Sequence, residues 1–353
     1  MPRSLKVAKQ YRERAKLALK RNGYARQQDL AEALGFARST VNNFLNGKPV
    51  DYLNFLEICE KLQLALDEIA DFADEEIPDS TLTSTSVVPS IEKFSIEHLY
   101  EALLCLNYTK QEDRFAEFVR EHPIGACLIH GEPEFGQEWL LNRLLKLLPV
   151  QMTTAFVHRT SFLRVTRSYS LESLWRELAV ATGATSSSPT DVAKAVCNLW
   201  QSQSVILIFK DVDQLPGAEF LDEFIHKFWH PLAAEACKCS SQTLNDRLIA
   251  FLVDSQGRAN DWSINCTEIL DVNWEPLQLL KLPKITHITR FELAYWLEKQ
   301  KDKLPQALTV QIEQAVIEIL ESREFGIPQL VLEAVCKRCG HNWYQSERVW
   351  LKF

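Results

Sequence analysis

The chain has 353 residues, 46% of them hydrophobic and 24% charged, with 39 Lys/Arg against 47 Asp/Glu and a formal charge of −8. That much apolar material excludes disorder as the dominant state, and no uncharged apolar run reaches the roughly 18–20 residues that a membrane span needs. The basic N-terminus, MPRSLKVAKQYRERAK, is followed by no apolar segment and so does not read as a secretory signal. The nine Cys, an odd number in a chain too large to need staples, read as reduced thiols of a cytoplasmic protein.

Charge is unevenly spread. Residues 1–50 hold eleven Lys/Arg and three Asp/Glu, a balance of +8, and residues 51–79 hold ten acidic side chains and one Lys. A basic block on an acidic protein is the electrostatic footprint of a polyanion-binding segment. A solvated helix face explains such a run equally well when the charges are considered alone. Residues 5–21 have helical periodicity, with Leu5, Ala8, Tyr11, Ala15 and Ala18/Leu19 on one stripe. In RQQDLAEALGFARSTVNNFLNGKPV the pattern predicts a short helix from Gln27 to Leu34, a turn at Gly35 and a second helix from Arg38 to Leu45 stopped by Asn46-Gly47. Further helices are expected near 51–62 and 66–72, giving an all-α N-terminal domain over 1–73.

The stretch 8–72 resembles the phage-repressor class of helix-turn-helix domains, in which Q-x-x-L-A-x-x-x-G precedes a recognition helix and a closing glycine. More narrowly, Met1 to Phe72 is similar to the N-terminal helix-turn-helix of bacterial vWA–MoxR-associated and related STAND signalling proteins. The resemblance implies double-stranded DNA as partner, with Arg38, Ser39, Thr40, Asn42 and Asn43 on the exposed face of the second helix and Gln27 and Lys48 at phosphates. Asn pairs with adenine, and Arg with guanine or phosphate. Ala37 departs from the family's Ser/Thr cap, a bond worth about 1 kcal/mol, unless Ser39 caps a later start.

The segment DEEIPDSTLTSTSVVPS has little to bury and reads as a flexible linker over 74–92. Beyond it, helical patterns near 95–106 and 110–121 lead into apolar runs alternating with helices. Strands are predicted at 124–131, 153–160, 205–213, 247–255 and 276–285, and helices at 137–148, 170–182, 189–201 and 217–235. Continuous Val/Ile/Leu runs separated by helices indicate a parallel sheet covered on both faces. The tail from 289 reads as helical, a C-terminal subdomain over 289–353 after a body over 93–288. The fold class is therefore α/β with an all-α head.

CLIHGEPEFGQEWLLNRL is a strand, a loop and a helix, the context of the phosphate loop G-x-x-x-x-G-K-[ST]. Gly131 and Gly136 hold the right spacing, but Gln137 stands at the lysine position and Glu138 at the Ser/Thr position. Downstream, VILIFKDVD places Asp211 or Asp213 where a metal-ligating Asp ends the adjacent strand. Gln137 cannot neutralise phosphates as a lysine does, and Glu132, Glu134 and Glu138 add three carboxylates. At about 4 Å and an effective dielectric near 20, each unit like-charge contact costs on the order of 4 kcal/mol. The loop is expected to keep its folding role and lose its ligand, with no cofactor and no metal, although Arg143, Arg258 or Arg290 could substitute as the cation.

Residues 95–353, with LNYTKQEDRFAEFV, CLIHGEPEFGQEWLLNRL and NWYQSERVWLKF, resemble the inactive STAND domain, a branch of AAA-like P-loop switches that has lost its Walker residues. The resemblance implies a non-enzymatic scaffold or interaction module. Cys336, Cys339 and His341, with Cys237 and Cys239, could hold zinc, but the helical spacing of the first pair favours small core residues. His158, His226, His230 and His287 show no catalytic or ligand spacing. Trp296, Trp343, Tyr344, Trp350 and Phe353 sit at helical spacing, which points to core rather than a cofactor site; where part of that face is exposed, it is the expected partner or self-association surface.

The expectation that follows is a cytoplasmic, nucleoid-associated DNA-binding regulator that is a homo-oligomer, docks a protein partner through its STAND-like domain and does not touch a membrane. Two readings stay open beside it: a nucleotide-gated STAND/AAA-like ATPase acting on DNA, and an adaptor whose helix-turn-helix recruits only protein.

Overall fold

The computed structural model describes residues 4–22, 24, 26–34, 36–62, 64, 69–71, 95–163, 170–239, 246–262, 266–271, 274–321 and 326–350. The chain divides into two compact units, Met1–Val88 and Pro89–Phe353.

In the first unit, strand β1 (Ser4–Val7) is followed by α1 (Arg12–Arg21), α2 (Gln27–Leu34), α3 (Arg38–Leu45), β2 (Val50–Asp51), α4 (Tyr52–Lys61) and β3 (Ala70–Asp71). Leu30 and Ala31 of α2, Val41, Phe44 and Leu45 of α3, and Phe55, Ile58 and Cys59 of α4 converge on one core with Ala15, Ala18 and Leu19 of α1. Phe44 and Phe55 meet with ring centroids 4.7 Å apart. The head is not helical throughout, as its periodicity had suggested. Leu5 and Val7 lie on β1, which is the middle strand of an antiparallel sheet in the order β2-β1-β3. Alternate residues of a strand also repeat on one face, so a short apolar alternation at 5 and 7 ran without a break into the stripe of α1. The helix expected near 66–72 is corrected in the same way, because Ala70–Asp71 pairs with Lys6 and Val7; its other residues, apart from Ile69, lie outside the described residues, as do Gly35 and the linker 74–92.

The second unit is the α/β fold expected. A six-stranded, wholly parallel sheet has the order β5-β6-β7-β4-β9-β8. Its strands are β4 (Ile124–Ile129), β5 (Phe156–Ser161), β6 (Val205–Lys210), β7 (Leu248–Val253), β8 (Cys266–Thr267) and β9 (Leu279–Lys281). The helices are α5 (Ile96–Leu103), α6 (Thr109–Glu121), α7 (Gln137–Leu147), α8 (Glu172–Thr182), α9 (Pro189–Trp200), α10 (Ala218–Phe224), α11 (His230–Cys239), α12 (Arg290–Lys299), α13 (Gln306–Thr309), α14 (Ile312–Glu321), α15 (Pro328–Arg338) and α16 (Trp343–Trp350).

Successive strand residues feed opposite faces. Ala126, Leu128, Leu207, Phe209, Ala250 and Leu252 join a core with α8 to α11. Cys127, Ile129, Ile206, Ile208, Phe251 and Val253 join the other core, with α5 to α7 and the terminal helices. The expected strand 276–285 shortens to β9, and the expected helix 217–235 becomes α10 and α11 joined by a π turn over Ile225–Trp229. Pro231 explains that turn: its ring would clash with the carbonyl four residues back, and a widened turn avoids the clash.

The terminal aromatics pack inward. Trp296, Trp343 and Trp350 are buried, Trp350 stacks on Tyr100 at 5.1 Å, and the Trp296 indole donates to the Ala102 carbonyl at 2.9 Å. These three are therefore core rather than partner surface; Phe353 and the side chain of Tyr344 lie outside the described residues. The exposed aromatics of this region are instead Phe291 and Tyr295 on the outer side of α12. Cys336 and Cys339 are buried core residues.

Candidate functional site

The sequence singled out two surfaces, one on each unit.

On the head, α3 buries Val41, Phe44 and Leu45 and turns Arg38 and Ser39 outward, with Thr40, Asn42 and Asn43 half-buried beside them and Lys48 exposed just beyond the helix. Ala37 is the residue before the helix and makes no side-chain cap, so Ser39 is not a later cap but a helical residue. Gly47 ends the helix with φ +65°, and a side chain there would strike the Arg12 guanidinium, which packs across this turn. The side chains of Arg38, Ser39, Thr40, Asn43 and Lys48 have no hydrogen bond or ion pair among the described residues. Asn42 differs: Asn46 donates to its Oδ1 at 2.8 Å. One half of a bidentate contact from Asn42 is thus already used, and only its amide NH2 is free to donate. Gln27 begins α2, beside Arg26, whose backbone N–H donates to Asp29 at 2.9 Å. A cleft of about 740 Å³ opens beside these helix starts, with Lys16, Leu17, Arg26, Gln27 and Arg38 in its walls. Lys16 and Arg26 are paired with Glu13 and Asp29, which among the described residues leaves Arg38 as the uncompensated cation of that wall.

In the body, the strand order reverses at β4. The chain leaves β4 for β5 on one side, returns through β6 to β7, and then crosses to the edge strand β8 on the other side before coming back to β9 beside β4. Such reversals open the crevice in which parallel α/β sheets hold ligands, beyond the carboxyl ends of the strands. The loops after β4, β6, β7 and β9 meet there, with Gly131, Gly136, Gln137, Glu138, Asp211 and Asp213 on them. The chain's own groups fill the crevice.

Gln137, almost fully buried, donates its Nε2 to the Glu132 carbonyl at 2.9 Å, closing the loop on itself from the lysine position. Tyr108, also buried, donates its hydroxyl to the Phe135 carbonyl at 2.9 Å and presses against Gly136, where φ is +75° and any side chain would clash with that hydroxyl. Burial raises the Tyr108 pKa, so the phenol stays a neutral donor. Gly257, in the loop after β7, approaches so closely that a Cβ there would lie 2.7 Å from the Gly131 carbonyl oxygen. From the other side, the first turn of α15 reaches the loop, and Gln329 N–H donates to the Glu134 carbonyl at 3.1 Å.

The metal-ligand positions are spent in the same way. Glu138 pairs with Lys210 at 2.6 Å, and Ser161 donates to Asp211 at 2.6 Å. Burial would lower the Lys210 pKa, but Glu138 and then Asp211 outweigh it and hold the ammonium above its ordinary range. A lysine therefore pairs with the carboxylate at the loop's Ser/Thr position, with the strand-end carboxylate of Asp211 as a further electrostatic partner. Asp211 is pushed up by burial, against the opposing pull of Ser161 and Lys210. Asp213 is fully buried and accepts from Ser255 N–H at 2.8 Å and Gln214 at 2.6 Å. Asp254, buried beside it, accepts three backbone N–H bonds from Gln256, Gly257 and Ala259. Burial, and then the Asp213 charge, push Asp254 up to about 6.

The cations proposed as substitutes are placed as follows. Arg143 is buried and wholly committed, bonded to Glu112 through Nε at 2.7 Å and to the Leu106 and Asn107 carbonyls at 2.6 and 2.7 Å. Arg290 pairs with Glu313 at 2.6 Å. Arg258 alone of the three is exposed near the loop without a partner among the described residues. Of the histidines, His158 lies 3.7 Å from Glu177, His226 and His230 contact each other, and His287 sits against Phe135.

Sequence reasoning missed Tyr108, Lys210, Ser161 and Asp254. Lys210 had a visible signal: a lysine directly before Asp211, with a carboxylate at the Ser/Thr position, is a charge-compensating set. Tyr108 stood inside LNYTKQED with no spacing rule to give it a role, since its partner is 27 residues away.

Residues 103–253 match the family model described as inactive STAND. The match runs from the end of α5 to the end of β7 and contains the filled loop, both strand-end aspartates and Tyr108. No curated protein matches the chain.

Proposed function

We propose that the chain is a DNA-binding regulatory protein in which α2 and α3 act as a helix-turn-helix and the NTPase-like body is a non-catalytic scaffold that pairs copies of the chain or docks a protein partner. The observation that carries the first half is the outer face of α3, where the side chains of Arg38, Ser39, Thr40 and Asn43 have no hydrogen bond or ion pair among the described residues. They lie in a segment with eleven basic and three acidic residues. Unpaired donors and acceptors on a helix of this size suit base edges in the major groove, and the surrounding cations suit phosphates. Double-stranded DNA is the partner this favours. The second half draws on the crevice, where Gln137 and Lys210 stand in for the lysine and metal that a triphosphate requires.

Fluorescence anisotropy with genomic duplex fragments tests the head. Retention is expected at low salt with a steep fall as salt rises. Replacing Arg38 and Asn42 with alanine is expected to reduce specific affinity by about tenfold or more. Unchanged affinity in that variant, or no retention at low salt, overturns the reading and favours the protein-only adaptor. Titration calorimetry with magnesium-ATP tests the body: no binding heat is expected. A measurable affinity that Asp211→Ala abolishes would establish nucleotide gating instead.

A further inference from the structure

Two helices on one face of the sheet carry a thiol pair that neither surface above uses. Cys197 lies on α9 and is 2% exposed within the core formed by α8 to α11. Cys239 is the last residue of α11, half-buried, and packs against the same core. The two side chains are hydrogen-bonded to each other. Gln201, one turn beyond Cys197 on α9, donates Nε2 to the Cys239 sulfur at 3.7 Å and so seats that sulfur over the Cys197 side of the helix.

We propose that Cys197 and Cys239 form an oxidation site, a dithiol that hydrogen peroxide converts into a disulfide joining α9 to α11. Exposure sets the order of events. Cys239 reaches solvent and meets the oxidant, whereas Cys197 is enclosed. Burial, followed by the neighbouring Cys239 and then Glu235, pushes the Cys197 thiol up to about 11, so it keeps its proton until an electrophilic sulfur stands beside it. The Cys239 thiolate attacks one peroxide oxygen, the O–O bond breaks, and the departing hydroxide takes up a proton as water, leaving a sulfenic acid on Cys239. The Cys197 sulfur then attacks the Cys239 sulfur. The S–O bond breaks, and the hydroxide leaves as a second water with the Cys197 proton. Two thiols and one peroxide give one disulfide and two waters, and the sulfurs close to about 2.05 Å.

Cys237 is not an equivalent partner. It lies two residues from Cys239 on α11 and so points to a different side of the helix. The loop closed by the bond, residues 197–239, contains all of β6 with Lys210, Asp211 and Asp213, so oxidation ties together the two helices that flank the strand ending at the filled crevice.

Trypsin separates every relevant thiol, because cleavage after Lys194, Lys210, Lys238 and Arg247 puts Cys197, Cys237 and Cys239 on three peptides. The full-length reduced chain is treated with one equivalent of hydrogen peroxide, blocked with iodoacetamide, digested without reductant and read by mass spectrometry. The expected product is peptide 195–210 linked to peptide 239–247. Cys239→Ser is expected to abolish the link, and Cys197→Ala to leave Cys239 as a sulfenic acid that dimedone labels. The proposal is overturned if the wild-type chain yields a dimedone adduct or a sulfinic acid at Cys239 without the link. It is equally overturned if the dominant cross-link runs through Cys237 or joins Cys336 to Cys339.

Discussion

The head and the body each present a helix whose first residues were singled out for binding, yet they treat those residues oppositely. On α3, the side chains of Arg38, Ser39, Thr40 and Asn43 are left without hydrogen-bond or ion-pair partners among the described residues. On α7, Gln137 and Glu138 are consumed at once, by the Glu132 carbonyl and by Lys210. A buried polar group left unpaired costs about 1–3 kcal/mol, whereas an exposed one is satisfied by water. The buried groups of the crevice, which holds no loop lysine, are therefore paired from within the chain. The outer face of α3 faces no such demand and can keep its polar groups for a ligand.

This contrast can be broken or sharpened at several points. The largest effect is expected at Arg143→Ala, which leaves the Glu112 carboxylate and two carbonyls without their guanidinium. Breaking a buried pair typically costs about 3–5 kcal/mol, so chemical denaturation should show the body transition at much lower denaturant. An unchanged midpoint would mean that the loop 106–112 does not depend on this anchor.

The Asp213–Asp254 pair comes next. Because the Asp254 pKa is raised in the fold to about 6, the folded state holds a proton that the unfolded state releases above its ordinary value. Its contribution to stability is therefore full below about pH 4 and is lost as pH rises through about 6. The shift corresponds to roughly 2–3 kcal/mol. Asp254→Asn should remove this slope, visible as a flatter pH dependence of the variant's unfolding free energy than of the wild type's from pH 4 to 7.

On the head, Arg38→Ala is expected to weaken the proposed specific DNA binding by about 1–3 kcal/mol while leaving thermal stability unchanged, because the side chain is exposed and makes no hydrogen bond or ion pair among the described residues. The smallest effect is expected at Lys48→Ala. It should weaken binding evenly across sequences and reduce the salt-dependence slope by about 1, as measured by anisotropy over a salt series.

The same physics explains what could be read in advance. The parallel sheet was legible because its strands are covered on both faces, so VILIF, ahead of Lys210, and LIAFLV are apolar at every position. The loop was legible because Gly131 and Gly136 mark a backbone course that other residues cannot easily follow, Gly136 at φ +75°. The burial of Val41, Phe44 and Leu45 followed from their spacing on α3. The small sheet of the head was not legible, since two-residue strands such as Val50–Asp51 carry no periodicity of their own. The burial of Trp296, Trp343 and Trp350 agrees with the core reading of their helical spacing, but which element covers them was not legible, because spacing shows only which residues share a face.

Local order and chemical capacity were therefore settled by the residues themselves: where helices start and stop, which runs become strands, and the absence of a lysine from the phosphate loop. These depend on backbone freedom and side-chain type within a few positions. What fills that loop was decided only by packing in three dimensions. Tyr108, Lys210, Gly257 and Gln329 arrive from distant parts of the chain, brought there by a strand order in which β7 and β9 flank β4. No spacing rule along the sequence encodes such neighbours, because contact between remote segments is fixed by how the sheet is assembled and which core it buries.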